Sequence, residues 1–191
     1  MFGFTKSKFP IGLDISDLSL KFIQLKKRGK KIEIQSVGKK KLPKGIIENG
    51  LIINQEAALK ALKELFAKPI YGNTASNEIV ACLPDTKTFI KLINVEKGPN
   101  DIADIINTEI EKNVPLGVKD IYYDWQEVAS DGQNQQILIG AAPKQIVNQY
   151  IDLINKTKYK IAALEIESTA ICRSLLKEET PKFDIQQAKN Y

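Results

Sequence analysis

The sequence is 191 residues long, 43% hydrophobic and 27% charged, with a net charge of +5, which is typical of a globular protein with one large or two small domains. No run approaches the roughly 18 apolar residues of a membrane span, and residues 1–10 lack the apolar stretch of a secretory signal. A cytoplasmic location is therefore expected. The absence of histidine excludes Ser-His and Cys-His catalysis, and Cys82 and Cys172 are expected to be buried thiols.

The positive charge is concentrated in residues 1–50, which hold twelve basic and only four acidic side chains. A basic region of this kind can face nucleic acid or an anionic membrane. Aromatic residues are not interleaved among the lysines, as they are on a surface that stacks bases. We therefore expect the lysines to lie at hairpin turns and strand edges, where charge blocks aggregation, and we predict no nucleic-acid partner.

The first part of the chain predicts a three-stranded antiparallel meander, then a helix and a buried strand. Apolar and polar residues alternate in the second and third segments, and residues 27–30 form a tight turn. Leu62, Leu65 and Phe66 recur at helical spacing, and Asn54 suits the N-cap position. The predicted elements are strands over 9–15, 18–25, 31–37 and 78–83 and a helix over 54–67.

The rest of the chain predicts a compact β-α-β-β-α block followed by one more strand and helix. A stripe of isoleucines from Ile102 to Ile110 marks the first helix of the block, which Pro115 ends, and Pro143 suits the start of the second. The predicted elements are strands over 89–95, 121–128, 135–141 and 161–164 and helices over 101–113, from Pro143 onward and over 165–176. Residues 177–191 are polar and lack periodicity, which predicts a disordered tail.

One segment carries recognisable chemistry: residues 12–21, Gly-Leu-Asp-Ile-Ser-Asp-Leu-Ser-Leu-Lys. A carboxylate at a strand end can hold a hydrated metal ion, and small hydroxyl residues in a turn let backbone N–H groups approach an anion. The same pattern also occurs in turns whose side chains are satisfied locally and bind nothing. The sequence has no Walker A motif and no Gly-x-Gly-x-x-Gly, so the residues alone leave both interpretations open.

Residues 12–21 resemble the first phosphate loop of actin-like ATPases, in the form found in PilM-type pilus assembly proteins and the related cell-division actin homologue. Four further stretches resemble the same family in order along residues 10–176: 80–84, 109–115 with 123–126, 141–144 and 163–170. The resemblance implies an α/β fold with an actin-like (ribonuclease-H-like) main subdomain, residues 1–84 plus 161–176. A small β-α-β-β-α subdomain, residues 85–160, is inserted into it.

The resemblance also implies a nucleotide site for ATP and magnesium. Asp14 would approach the magnesium ion through water, and Glu167 aligns with the position that orients the attacking water. The residues implied near the phosphates are Ser16, Asp17, Leu18, Ser19 and Lys21. The alternative for Glu167 is a carboxylate stabilised by a helix N-terminus.

Two departures from the family pattern weaken the expected nucleotide binding. Many relatives have glycine where this chain has Ser16, and serine adopts a positive φ poorly, so either the turn differs or the phosphate is bound less tightly. The resemblance also covers only the first half of the family fold. We therefore expect weak ATP binding or none, and no catalysis by this chain alone.

The resemblance implies a protein partner as well. PilM-type proteins bind the N-terminal cytoplasmic peptide of PilN, an inner-membrane protein, in a groove between the main and inserted subdomains. The candidate groove residues are Leu83, Phe89, Ile90, Leu92, Ile105, Ile106 and Ile110. Any one of them can equally be a core residue.

The implied function is a scaffold of type IV pilus biogenesis, held indirectly at the inner face of the cytoplasmic membrane by PilN and other platform proteins. One alternative is a cell-division protein that tethers to the membrane, which needs a C-terminal amphipathic helix; residues 177–191 offer no apolar face for one. Another is an ATPase half that requires a second half to act.

Overall fold

Strand alternation in the first 41 residues produces the predicted meander. The computed structural model describes residues 9–98, 102–114, 116–131 and 133–175. In it β1 (Ile11–Ser16), β2 (Ser19–Arg28) and β3 (Lys31–Lys41) are joined antiparallel by tight turns. Every second residue of β1 is buried, because successive side chains of a strand point to opposite faces.

A two-residue hairpin that the sequence analysis missed follows the meander. It consists of β4 (Ile47–Glu48) and β5 (Leu51–Ile52). Asn49 and Gly50 join them with φ values of 50° and 77°, and this pair of positive φ values defines the turn that Asn-Gly favours. The segment between β3 and the following helix therefore contains a fixed turn.

Helix α1 (Gln55–Ala67) begins where the sequence predicts. The Asn54 side chain caps it by accepting a hydrogen bond of 3.0 Å from the Ala57 amide. The helix buries Ala58, Leu62 and Leu65 and packs against β2 and β3. The short strand β6 (Tyr71–Gly72) then pairs with β3, in a segment for which the sequence analysis predicted no element.

The main sheet has six strands in the order β11-β7-β1-β2-β3-β6. Strand β7 (Glu78–Leu83) lies parallel to β1 and matches its predicted bounds, and β11 (Lys160–Ile166) flanks β7. The buried amide side chain of Gln24 fixes the neighbouring loop, since it donates to the Phe9 carbonyl and accepts from the Ala75 amide, each at 2.8 Å.

The second part of the fold is a three-stranded antiparallel sheet with one helix on one face. Strand β10 (Asn134–Pro143) lies between β8 (Phe89–Glu96) and β9 (Ile121–Ser130). Helix α2 (Ile102–Asn113) precedes β9. The core that helix and sheet enclose consists of Ile93, Val95, Ile106, Ile110, Ile121, Ile137, Ile139 and Ala141. Two more helices lie in the described residues: α3 (Lys144–Asn155) before β11 and α4 (Glu167–Leu175) after it.

The chain divides into two compact units whose boundaries differ in part from the predicted ones. Within the described residues, the first unit comprises 9–83 and 149–165, and the second comprises 84–148 and 166–175. The first break lies between Leu83 and Pro84, whereas the predicted main subdomain runs to residue 84. Residues 149–160, expected in the insertion, belong instead to the first unit.

Hydrogen bonds connect the start of this second segment to the rest of the first unit. The Tyr150 hydroxyl donates to the Gly50 carbonyl at 3.0 Å, and the Ile52 amide donates to the Gln149 side chain at 3.3 Å. Residues 166–175, expected in the main subdomain, belong to the second unit. There the Ser168 amide donates to the Asp85 carboxylate at 3.1 Å.

Pro143 ends β10 rather than starting α3, which begins at Lys144. Cys172 is exposed and Cys82 is only half-buried, so the expectation of two buried thiols was wrong. The predicted helix end at Pro115 and the predicted tail over 177–191 lie outside the described residues. No helix in the described ranges is both long and apolar enough to cross a membrane.

Candidate functional site

The turn between β1 and β2 is a two-residue hairpin at Asp17 and Leu18, with Ser16 and Ser19 as the last paired residues. Among the described non-glycine residues, Asn49 alone has a positive φ. The turn therefore needs no left-handed residue, and Ser16 fits it without strain. Serine at this position therefore carries no backbone strain that glycine would relieve.

Asp14, Ser16 and Lys21 lie together on one face of this hairpin. Asp14 and Lys21 are direct cross-strand partners, and the Lys21 ammonium lies 2.6 Å from one Asp14 carboxylate oxygen. The Ser16 hydroxyl donates to the other oxygen at 2.8 Å. The two charged side chains are 47% and 36% exposed, so the pair is open to solvent and to an incoming anion.

Asp17 has a structural role in the same hairpin. Its carboxylate accepts hydrogen bonds from the Asn49 amide at 2.8 Å and the Gly50 amide at 3.0 Å. These bonds anchor the β1–β2 turn to the β4–β5 turn. Leu18 at the tip is 56% exposed, and its carbonyl accepts from the Leu42 amide at 2.9 Å.

The donor set at this hairpin is compatible with a hydrated magnesium ion. Magnesium keeps several of its waters and takes only one or two carboxylates together with phosphate oxygens, and Asp14 is an accessible carboxylate of that kind. A direct cage of protein ligands is absent, since no group of three or more metal-ligating side chains occurs in the described ranges. Asp14 would hold such an ion through water, and Lys21 would supply charge to phosphate.

Glu167 is the exposed first residue of α4, in the second unit. The neighbouring Ser168 amide is capped by the Asp85 carboxylate, so the start of this helix already has an acceptor from its own unit. A carboxylate at this position is favoured by the helix dipole. The role of Glu167 toward water therefore stays a prediction.

The seven residues predicted to bind a partner separate into core and surface. Ile106 and Ile110 are fully buried in the core of the second unit, and Leu83 is only 5% exposed in the first. Burial therefore excludes these three from a surface contact. Phe89 and Ile105 are half-buried and pack against the second-unit core.

Ile90 and Leu92 lie on the face of the three-stranded sheet opposite α2. They are 37% and 51% exposed, whereas Ile93 and Val95 point into the core. Leu138 is the direct cross-strand partner of Leu92 and adds to the same face. We refer to Ile90, Leu92 and Leu138 as the open-face patch.

The sequence analysis missed Leu138 and Tyr122 as surface residues of this sheet. Tyr122 lies on β9, is 47% exposed, and has the Lys144 ammonium 5.3 Å from its ring centre. The alternation of β10 was a usable signal, since residues two apart on a strand share a face. It does not by itself tell which of the two faces a helix covers.

Comparison with known proteins agrees with this architecture. The chain is similar to a solved "PilM-PilN type IV pilus biogenesis complex", with a TM-score of 0.73 and 18% identity over 84% of this chain and 48% of that one. It thus spans about half the length of that structure. A second match is the cytoplasmic domain of EpsL, an inner-membrane component of the Vibrio cholerae type II secretion system. It has a TM-score of 0.49, 9% identity and coverage of 81% and 56%, too low to add to the argument.

The six-stranded mixed sheet with a second small α/β unit is an actin-like fold. The sequence matches the family described as type IV pilus assembly protein PilM over residues 12–188. The chain therefore belongs to the PilM family of type IV pilus assembly proteins.

Proposed function

We propose that this chain is a scaffold of type IV pilus assembly that binds the N-terminal cytoplasmic peptide of a PilN-type inner-membrane protein. The observation that carries the proposal is family membership over residues 12–188, together with the fold shared with the solved PilM-PilN complex. Binding to such a partner would hold the chain at the inner face of the membrane, where other platform proteins assemble.

The open-face patch is the surface that we assign to the peptide. Ile90 and Leu92 are exposed apolar side chains on β8, and Leu138 lies beside Leu92 on β10. Within the described sheet β8 pairs with β10 alone, so its other edge offers backbone groups to an added strand. Main-chain pairing at an edge combined with apolar side-chain contacts is a known mode of peptide capture.

A single substitution on the patch tests this assignment. Leu92→Glu places a charge where an apolar partner side chain would pack, so peptide affinity should fall at least about tenfold, equivalent to about 1.4 kcal/mol. Calorimetric titration with the PilN N-terminal peptide measures the change. Because Leu92 is 51% exposed, the variant should keep its fold, which circular dichroism checks.

The matched control is Ile32→Glu, on β3 of the first unit, where the side chain is 54% exposed. This variant carries the same charge change and should bind the peptide like the wild type. If Leu92→Glu binds the peptide as tightly as the wild type, the open-face patch is not the binding surface. If the wild type does not bind the peptide, the PilN-type peptide is not a partner of this chain.

A second proposed activity, weak nucleotide binding, is supported by the arrangement of Asp14, Ser16 and Lys21. The Lys21 ammonium contacts the Asp14 carboxylate at 2.6 Å. A phosphate would have to break or weaken this ion pair, which reduces the net gain in binding free energy. We expect MgATP to bind more weakly than about 10 μM, or roughly −7 kcal/mol. Calorimetric titration measures it, with Lys21→Ala as the variant and Lys27→Ala, farther along β2, as the control.

A loss of affinity in Lys21→Ala alone would support the hairpin as the phosphate site. Saturable binding tighter than about 10 μM would contradict the expected weakness. Equal affinity of both variants and the wild type would contradict the site itself.

A further inference from the structure

A cleft of about 420 Å³ opens on the first unit, where the C-terminal end of α1 approaches the turn between α3 and β11. The lining residues are Lys63, Phe66, Ala67, Lys156, Thr157, Lys158 and Tyr159. All of them belong to the first unit. None is part of the β1–β2 hairpin or of the open-face patch, so the cleft is a separate site.

The floor of the cleft is a fixed aromatic stack. The rings of Phe66 and Tyr159 lie 4.2 Å apart between centres, and Phe66 in turn lies 5.1 Å from Phe22 in the interior. The Tyr159 hydroxyl is hydrogen-bonded to the Thr74 hydroxyl at 3.0 Å. Because Phe66 is held between Phe22 and the buried Tyr159, it presents a preformed apolar surface to the cleft.

The rim of the cleft is basic. Lys63, Lys156 and Lys158 are exposed, and none of the three forms an ion pair within the described part of the chain. The Lys158 ammonium lies 5.3 Å from the Tyr159 ring centre. Thr157 holds the turn by donating to the Ile154 carbonyl at 2.6 Å and accepting from the Tyr159 amide at 3.1 Å.

We propose that this cleft binds an acidic peptide segment of a protein partner, which inserts one apolar side chain against Phe66 and Ala67 and places carboxylates among Lys63, Lys156 and Lys158. An apolar centre surrounded by a charged rim is the usual anatomy of a protein contact. The unpaired lysines select acidic partners by charge complementarity.

A peptide fits these observations better than an anionic bilayer. Tyr159 is only 4% exposed, so it supports the floor from beneath, and the apolar surface open to a ligand is that of the half-buried Phe66 and of Ala67. One inserted side chain reaches this surface within the cleft, whereas a flat array of headgroups does not. A bilayer would engage the lysines and leave the aromatic floor without a role. The proposal does not depend on the PilN-type peptide or on nucleotide binding.

The test uses a defined probe, the peptide acetyl-Glu-Asp-Phe-Asp-Glu-amide, titrated into isotope-labelled protein followed by amide chemical shifts. We expect saturable shifts centred on Ala67, Thr157 and Tyr159, weakening as salt screens the charges. The double variant Lys63→Glu/Lys158→Glu should lower the affinity at least tenfold. All these lysines are exposed, so the fold should persist, which the remaining spectrum verifies.

Three controls make the outcome decisive. Lys30→Glu/Lys31→Glu, at the β2–β3 turn, changes the net charge equally and should leave peptide affinity unchanged. A probe with Gln and Asn in place of its acids, and one with Ala in place of Phe, should each bind more weakly. The proposal is overturned if the probe causes no shifts up to about 1 mM. It is also overturned if the control variant Lys30→Glu/Lys31→Glu weakens peptide binding as much as Lys63→Glu/Lys158→Glu does. Shifts at the cleft with phosphatidylglycerol vesicles but not with the peptide would overturn it in favour of a membrane contact.

Discussion

At the scale of single residues, two aspartates of one hairpin have different roles. Asp17 is bound by the amides of Asn49 and Gly50, so its carboxylate serves to join two turns. Asp14 contacts Lys21 and the Ser16 hydroxyl on an accessible face. Of the loop's two carboxylates, Asp14 is therefore the one that can exchange its present contacts for those of a ligand.

Glu109 offers a pH-dependent test at this scale. Hydrogen bonding from the Lys91 ammonium, 2.8 Å away, lowers the pKa of Glu109 below its ordinary value; attraction to Lys91 and Lys112 adds to this, and burial opposes it. A lowered folded-state pKa contributes stability that is fully present above the unfolded-state pKa of about 4.3 and is lost as pH falls through the lower folded value. Glu109 joins α2 to β8, so the second unit should weaken in that range.

The expected result for Glu109→Gln is a loss of up to about 1 kcal/mol in the free energy of unfolding at pH 7. The loss should shrink as the pH falls below the unfolded-state pKa of about 4.3 and through the lower folded-state pKa, because protonation then leaves the wild-type side chain as uncharged as glutamine. Urea denaturation at a series of pH values measures it. Glu111→Gln, an exposed position two residues along α2, is the control, and an identical pH profile for both variants would contradict the role of the ion pair.

At the scale of elements, the meander depends on one close contact between strands. Gly38 on β3 lies directly opposite Phe22 on β2, and a Cβ atom at Gly38 would collide with the Phe22 ring. The absent side chain lets Phe22 lie over β3 and reach Phe66 of α1. The glycine thus positions the aromatic stack that fixes α1 on the sheet.

We expect Gly38→Ala to lower the free energy of unfolding by about 1–3 kcal/mol, because the ring must leave its position. Urea denaturation measures the change. Gly12→Ala on β1 is the matched control, since a Cβ there would meet its nearest neighbours at an ordinary 3.6 Å. If the two variants lose equal stability, the loss comes from replacing any strand glycine by alanine, and the contact with Phe22 is not its cause.

The sequence was sufficient for elements whose signals are local. The meander, the Asn54 cap and the β-α-β-β-α order all follow from alternation, capping chemistry and helical spacing. The Asn49-Gly50 hairpin was also encoded locally and was overlooked. The pairing of Asp14 with Lys21 follows from a two-residue turn, since it sets the register of the strands.

Tertiary choices could not be predicted in this way. The stripe from Ile102 to Ile110 predicted a helix, but only the packed sheet shows that Ile106 and Ile110 form the core rather than a partner surface. Similarly, the apolar periodicity of α3 predicts a helix but not the surface on which it packs. The hydrogen bond from the Tyr150 hydroxyl to the Gly50 carbonyl, in the first unit, is seen only in the folded chain. Long-range packing of this kind depends on which surfaces meet, and a single segment does not encode it.

At the scale of the whole molecule, the chain contains two separate cores. The second unit encloses Ile137 and Ile139 between α2 and its sheet, and the first encloses Leu62 and Leu65 between α1 and the main sheet. The single tryptophan, Trp125, packs against the second core. Its fluorescence therefore reports on the second unit, whereas far-ultraviolet circular dichroism reports on both.

This arrangement predicts that a cavity in one core shifts the two signals differently. Ile137 is fully buried, so Ile137→Ala should destabilise the second unit by about 2–5 kcal/mol and move the Trp125 midpoint in urea below that of circular dichroism. Leu62→Ala, an equally buried change in the first core, should lower the dichroism midpoint and leave Trp125 fluorescence less affected. Coincident midpoints in both variants would show that the units unfold as one, because two-state unfolding gives every probe the same transition.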